Sequence, residues 1–115
     1  MQNKKITTLK NNKDFKKIYN RGQSVVSKNV VTYVLKNNLN YNRIGITASK
    51  KIGNAVKRNR ARRLIKQSYA LISNELSMGY DIVFVARALS TNSRLKYVKK
   101  DVCFTLKAKK MFKDN

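Results

Sequence analysis

The spacing of apolar side chains predicts that this chain begins with a short helix. In residues 11–20, Phe15, Ile18 and Tyr19 stand at positions i, i+3 and i+4, so they share one face of a helical turn. Either of the two asparagines that open the segment can cap the helix, and Gly22 lies just beyond its end. The pattern therefore predicts an amphipathic helix whose apolar face needs a partner.

Strand-like sequence follows this helix. Residues 24–27, 29–36 and 43–49 are rich in β-branched and aromatic side chains, and the asparagine-rich segment 37–42 separates the last two runs. Such runs bounded by turn residues are typical of β-strands. Three strands are therefore predicted, the last two joined by a turn.

The apolar period becomes helical again from about Ala55 to Leu76. One side of the helical wheel carries Leu64, Ile65, Ser68, Tyr69, Leu71, Ile72 and Leu76. Residues 81–88 then form a continuous apolar run, which predicts a central buried strand. Residues 93–112 repeat apolar positions at helical spacing, and Tyr97 within them is expected to be a packing residue. The predicted order is α-β-β-β-α-β-α, an α+β two-layer sandwich in a single domain spanning residues 1–115.

The charge of the chain is strongly unbalanced. It has 115 residues with 27 Lys and Arg against 5 Asp and Glu, a net charge of +22, and no acid between Asp14 and Glu75. Such an excess indicates a polyanionic partner, which can be nucleic acid, an anionic membrane surface or an acidic protein. No apolar run approaches the roughly 20 residues of a membrane span, and the N-terminus lacks the apolar section of a secretory signal. The single Cys103 favours a reducing cytoplasm, so nucleic acid is the favoured partner.

The composition also argues against catalysis by the chain itself. Histidine is absent and the five acids are scattered along the sequence. A two-metal nuclease needs several carboxylates converging on ions about 4 Å apart. We therefore expect no catalytic residue and no metal site in this chain, and we expect its acids to cap helices or pair with cations.

The segment from residue 50 to residue 69 concentrates eight lysines and arginines without an acid. On the helical wheel, Arg58, Arg62 and Lys66 form one i, i+4 row, with Asn59 and Arg63 beside it, opposite the apolar stripe. Like charges at this spacing destabilise a helix by about 0.2–0.5 kcal/mol per pair. A lysine-rich surface encoded by an A·T-rich genome is the simpler alternative. That bias would favour lysine, whereas Arg58, Arg60, Arg62 and Arg63 fall within six residues here. Arginine pairs bidentately with phosphate, which lysine cannot do.

The run SKKIGNAVKRNRARRLIKQSY, residues 49–69, resembles the signature of the bacterial ribonuclease P protein family. In that family a strand leads into a Lys-Lys loop, a Gly-Asn-Ala-Val stretch and an Arg-Asn-Arg helix start. The segments at 9–22 and 79–87 also resemble the family, so the similarity covers most of the chain.

The resemblance implies the protein subunit of an endoribonuclease whose RNA partner carries out the chemistry. This ribonucleoprotein removes the 5′ leader of precursor tRNA, with Mg²⁺ held mainly by the RNA. No membrane and no obligatory protein partner is implied. The implied fold contains an unusual left-handed βαβ crossover and is shared with a ribosomal-protein domain. The residues implied to bind the RNA subunit are Lys50, Lys51, Arg58, Asn59, Arg60 and Arg63. Those implied to bind the leader are Phe15, Tyr19, Tyr33, Arg62 and Lys66.

The resemblance implies that the leader lies in a cleft between the first helix, the sheet and the basic helix. The residues alone allow a second interpretation of its aromatic side chains. Val31, Tyr33 and Leu35 share one strand face, and a two-layer domain needs only one face of that strand against its core. Tyr33 could therefore be a stacking platform for a base. Alternatively, Phe15, Tyr19 and Tyr33 could simply pack the first helix on the sheet.

Three other functions remain as alternatives. A general RNA-binding or ribosomal protein would share the electrostatics but lack a leader cleft. An architectural DNA-binding protein would prefer duplex DNA to a folded RNA. A membrane-active basic protein is disfavoured, because the arginine-rich helix lacks a broad apolar face for lipid.

Overall fold

The computed structural model describes residues 6–88 and 93–113, which form one five-stranded sheet with helices on both faces. The strands are β1 (Thr7–Thr8), β2 (Gln23–Val26), β3 (Val30–Lys36), β4 (Arg43–Thr47) and β5 (Tyr80–Ala86). The helices are α1 (Asn12–Arg21), α2 (Ala55–Ile72) and α3 (Leu95–Ala108), with single 3₁₀ turns at Lys50–Ile52 and Ser73–Glu75. The predicted α+β class and the predicted order of elements are confirmed, with β1 as an additional strand.

The ends of α1 follow from its sequence. The Asn11 side chain accepts a hydrogen bond from the Lys13 N–H at 2.9 Å, which caps the helix start. At the other end, the Gly22 N–H donates to the Ile18 carbonyl at 2.8 Å. The chain then turns directly into β2, so α1 ends next to Gly22, as the sequence predicted.

The sheet order is β1-β4-β5-β3-β2, so β5 is the central strand. Its residues Ile82, Val83 and Phe84 are fully buried, which confirms the interpretation of the apolar run as a central strand. β5 pairs in parallel with β4 and antiparallel with β3. β1 pairs with β4 through only two residues and therefore covers only the beginning of that strand.

The connection from β4 through α2 to β5 is a left-handed crossover. Ile44 packs in the core shared with α2, and its carbonyl accepts from the Leu9 N–H beside β1 at 2.7 Å. Consider a strand that runs upward, seen with the side chain of one L-residue toward the viewer. The carbonyl of that residue then points to the right. With α2 toward the viewer and β4 running upward, β1 therefore lies to the right of β4 and β5 lies to its left. The chain moves leftward from β4 over α2 to β5, which makes the crossover left-handed. Most such connections are right-handed, so the expectation drawn from the resemblance is confirmed.

The two faces of the sheet carry unequal cores. The larger core lies under α2 and α3, where Val98, Val102 and Leu106 of α3 are fully buried. Within it, the Thr105 hydroxyl donates to the Val102 carbonyl, so the Thr32 hydroxyl donates to Thr105 at 2.8 Å. The smaller core lies under α1 and is built on Leu9, Ile18 and Val83, with Phe15, Tyr33, Leu35 and Val85 packed against it.

Two side chains lie elsewhere than the sequence predicted. Leu71 was placed on the apolar stripe of α2 but is 58% exposed, because it stands about 90° from the centre of the buried stripe at 100° per residue. Tyr97 was expected to pack but is 51% exposed on the outer face of α3. In α3 the core is filled by the i, i+4 row beginning at Val98, which leaves Tyr97 outside it.

A buried carboxylate holds the starts of β4 and β5 together. The two Asp81 carboxylate oxygens accept from Arg43 Nε at 2.8 Å and Arg43 Nη2 at 2.7 Å, and Asn37 Nδ2 donates to the same carboxylate at 2.9 Å. The hydrogen bond to Asp81 raises the pKa of the Arg43 guanidinium. Asp14 of α1 lies 3.9 Å from Arg43 Nη1, so this group also connects α1 to the sheet.

We predict that Asp81→Asn lowers the free energy of unfolding by about 1.5–3 kcal/mol, because charged hydrogen bonds to Arg43 are lost at a buried position. Urea unfolding followed by circular dichroism measures the change. Glu75→Gln, which removes an exposed carboxylate, is the matched control and should change stability little. Equal stability of the two variants would show that the Asp81 network does not stabilise the fold.

Candidate nucleic-acid interface

A basic loop connects β4 to α2. Lys50 and Lys51 are exposed in its 3₁₀ turn, and Gly53 follows at φ 146°, a backbone conformation that favours glycine. A Cβ on Gly53 would lie 2.9 Å from the Lys57 side chain. Asn54 then caps α2 by accepting from the Lys57 N–H at 3.0 Å. The loop thus places two exposed ammonium groups beside the positive end of a helix.

The first turns of α2 expose a cluster of cations and amides. Asn59, Arg63 and Lys66 are exposed, Arg58 and Arg62 are half-buried, and Arg62 Nη2 donates to Asn59 Oδ1 at 2.6 Å. Arg58 Nε is buried without an acceptor in the part of the chain that the structure describes. A buried charged donor of this kind needs an explanation, and an anionic group drawn to the Arg58 guanidinium would supply the missing counter-charge.

Arg60 is held differently from its neighbours. It is half-buried, and its Nη2 donates to the Ser93 carbonyl at 2.9 Å. This contact connects the first turns of α2 to the segment before α3. Its expected contact with RNA remains a prediction, to be separated from this internal bond by measurement.

Three aromatic side chains form a continuous surface between α1 and the sheet. The Tyr19 and Tyr33 rings meet edge to face with centroids 5.0 Å apart, and Phe15 lies 6.4 Å from Tyr19. Phe15 and Tyr33 pack against the smaller core but are only half-buried, and Tyr19 is 38% exposed with its hydroxyl 3.5 Å from that of Thr47. These side chains therefore fasten α1 and also present aromatic surface to solvent.

A cleft of about 350 Å³ lies between α1 and α2 at the β4 edge of the sheet. It is lined by Thr8, Leu9, Phe15, Ile44, Gly45, Ile46, Arg62, Arg63 and Lys66. One side is apolar and the other is cationic. The structure brings Phe15, Arg62 and Lys66 together as expected, and it places Arg63 here too, although the resemblance assigned Arg63 to the RNA subunit. Tyr19 and Tyr33 do not line the cleft itself but continue its aromatic side.

Gly45 is a cleft residue that the sequence analysis missed. A Cβ at this position would lie 2.5 Å from two atoms of the Phe15 ring, so the absence of a side chain lets Phe15 lie directly on β4. An isolated glycine within a strand pattern can mark such a close approach. That signal was present in the RIGIT segment, but the identity of the approaching group depends on the tertiary fold.

The acidic side chains of the described residues are dispersed over the fold. No three His, Cys, Asp or Glu side chains come together in ranges 6–88 and 93–113. Asp81 and Asp101 instead accept hydrogen bonds from Arg43 and Asn29. Over the same ranges, no helix has both the length and the apolar character to cross a membrane.

The described residues thus form a small α+β domain with a left-handed crossover, a basic loop, an arginine-rich helix start and a cleft with one aromatic side. The family model for Ribonuclease P matches residues 3–110. The ribonuclease P protein component of Clostridioides difficile is 47% identical over 95 residues, which cover 82% of this chain and 83% of the relative. That of Alkaliphilus metalliredigens is 41% identical, over 90% of this chain and 93% of the relative.

Solved structures agree with this match. The RNase P protein of Staphylococcus aureus superimposes with a TM-score of 0.84 at 32% identity, covering 95% of this chain and 100% of that one. The protein from Thermotoga maritima gives 0.76 at 25% identity, covering 84% and 92%. The chain belongs to the ribonuclease P protein family, the protein components of a tRNA-processing endonuclease.

We predict that Gly45→Ala destabilises the protein by about 1–3 kcal/mol through overpacking against Phe15. A protein usually gains stability when a glycine in ordinary strand geometry is replaced by alanine. The sign of the change in unfolding free energy therefore tests the contact with Phe15. Phe15→Leu should relieve the clash, and the double variant should lose less stability than the two single variants summed. A stabilising Gly45→Ala, or strict additivity in chemical denaturation, would contradict the packing of Phe15 on this glycine.

Proposed function

We propose that the chain binds the catalytic RNA of ribonuclease P and the 5′ leader of precursor tRNA, and thereby assists endonucleolytic removal of the leader. The basic loop and the start of α2 bind the RNA subunit through Lys50, Lys51, Arg58, Asn59, Arg60 and Arg63. The leader occupies the cleft and the adjoining aromatic surface. The observation that carries this proposal is the pairing of an apolar, Phe15-bearing side with a cationic side in one cleft.

The chemistry of the cleft suits a single strand. Single-stranded nucleic acid offers unpaired base faces for stacking and a phosphate backbone for cations. Phe15 and Tyr33 supply half-exposed rings, while Arg62, Arg63 and Lys66 supply positive charge across the cleft. A duplex hides its base faces, so it would use the cations without the rings. The same cations would give a general RNA-binding protein its affinity, but they would not explain the aromatic side.

In this proposal the RNA partner performs the phosphodiester hydrolysis, with Mg²⁺ held mainly by its phosphates. The donor set of the described residues does not fit a dedicated Mg²⁺ site, since no carboxylate cluster is present among them. The protein instead adds fixed positive charge beside the RNA and retains the leader. The resulting enzyme would therefore need less Mg²⁺ than the RNA alone. We place this activity in the cytoplasm.

We predict that Tyr33→Ala, in the holoenzyme reconstituted with bacterial RNase P RNA, weakens binding of leader-bearing precursor tRNA by about 5–150-fold. The reason is the loss of stacking worth about 1–3 kcal/mol per base. Binding of mature tRNA should be nearly unchanged. Tyr41→Ala, which removes an exposed tyrosine away from the cleft, is the matched control. Equal losses for precursor and mature tRNA would contradict a leader-binding role.

We also predict that Arg58→Ala weakens binding of the RNA subunit by about tenfold at fixed salt, because a charge-assisted contact to phosphate is lost. Lys107→Ala removes the same charge from the end of α3 and should cost less than about threefold. Filter binding across a salt series measures both, and the slope of log Kd against log salt should flatten for Arg58→Ala. Identical losses for the two variants would indicate only non-specific attraction.

A further inference from the structure

A second concave surface lies on the outer side of α3. This α3 groove has a volume of about 770 Å³, within the range of small-molecule sites. Its lining residues are Ser27, Lys28, Asn29, Ser93, Tyr97, Lys100, Asp101 and Phe104. None of them lines the leader cleft. The groove borders the β2–β3 turn, whereas the cleft lies at the β4 edge, toward the other side of the sheet.

The α3 groove exposes two large aromatic rings. Tyr97 is 51% exposed and Phe104 is 56% exposed. They stand at i and i+7 on α3, so their Cα atoms are separated by about 10 Å along the helix axis. Lys96 Nζ lies 5.7 Å from the centroid of the Tyr97 ring. Two exposed aromatic rings that line one depression provide faces on which a planar group can stack.

The charge around the groove selects an anionic occupant. Lys28 and Lys100 line it, and the carboxylate of Asp101 is already engaged by the Asn29 N–H at 2.8 Å and by Asn29 Nδ2 at 2.9 Å. A second copy of this chain would bring the same lysines and the same large positive charge against this surface, so self-association here is opposed by repulsion. Aromatic faces with lysines beside them fit nucleic acid.

One lining residue of the groove, Asn29, is held rigidly. The backbone N–H and the side-chain Nδ2 of Asn29 both donate to the Asp101 carboxylate. Asn29 Oδ1 is buried without a donor among the residues the structure describes. Asn29 is only 7% exposed. The bonds between Asn29 and Asp101 join the β2–β3 turn to α3 and hold this wall of the groove in place.

The groove is also continuous with the proposed RNA-subunit surface. Ser93 lines the groove, and its carbonyl accepts from Arg60 of α2. An RNA strand bound along the first turns of α2 therefore reaches the groove without crossing the rest of the molecule.

We propose that the α3 groove binds an unpaired nucleobase of RNA, stacked on Tyr97 and Phe104 with its phosphates beside Lys28 and Lys100. This inference rests on the proposed binding of RNA by the chain but not on the leader cleft. The nucleobase can come from the RNA subunit or from precursor tRNA, and both present the same chemistry to the groove.

Ultraviolet cross-linking tests the site directly. The full-length protein is irradiated with bacterial RNase P RNA alone, with precursor tRNA alone, and with both, and the cross-linked peptides are identified by mass spectrometry. We expect cross-links at Tyr97 or Phe104, and the arm that yields them identifies the source of the nucleobase. If all three arms cross-link the leader cleft or α2 but never α3, the groove is not an RNA site, while the proposed function stands.

Variants provide the quantitative test. Tyr97→Ala/Phe104→Ala should weaken binding of the cross-linked RNA by about tenfold, whereas Tyr97→Phe should retain binding because stacking survives. Tyr41→Ala is the matched control, and unchanged unfolding midpoints would show that the exposed rings are dispensable for folding. Wild-type affinity in the double variant overturns the proposal. The proposal is also overturned if the double variant changes only the sedimentation coefficient of the protein, because the groove would then be a contact between protein copies.

Discussion

The scarcity of carboxylates is the constraint on which the rest of this structure depends. Asp81 joins the starts of β4 and β5 through Arg43, and Asp101 joins the β2–β3 turn to α3 through Asn29. Asp14 approaches the same arginine from α1. These three acids hold elements together, and none of them is an ion-pair partner of the cations along α2. Lys50, Lys51 and Lys66 are among the exposed cations of the basic loop and of α2. In the proposed function, an RNA supplies their counter-charge.

The cleft between α1 and α2 arises from how the sheet ends. β1 contributes only two residues, so it covers the start of β4 and leaves the rest of that edge open. Phe15 reaches over this edge from α1, and Gly45 has no side chain to hold the ring away. From the other face, α2 extends Arg62 and Lys66 toward the same opening. β5 pairs with the other edge of β4, so in the described part of the chain no strand lies beside the outer edge of β4 beyond β1.

Much of this could be predicted from local sequence, and the remainder depends on long-range packing. The cap of α1, the central position of β5 and the buried row of α3 each follow from a repeating pattern in one segment. β1 has no such pattern, since two residues paired to a distant strand leave no periodic signal. A helical wheel likewise shows that Arg63 is on a basic face, but not that Phe15 of another helix lies across from it. Tyr97 lies outside the buried row that begins at Val98, so its predicted role as a packing residue is wrong.

The most direct test of this account is cleavage of precursor tRNA at low Mg²⁺ by bacterial RNase P RNA alone, by this protein alone, and by both together. The account predicts that only the mixture cleaves efficiently and that it leaves the mature 5′ end. A mixture no faster than the RNA alone would contradict the proposal that the uncompensated cations and the cleft assist the catalytic RNA.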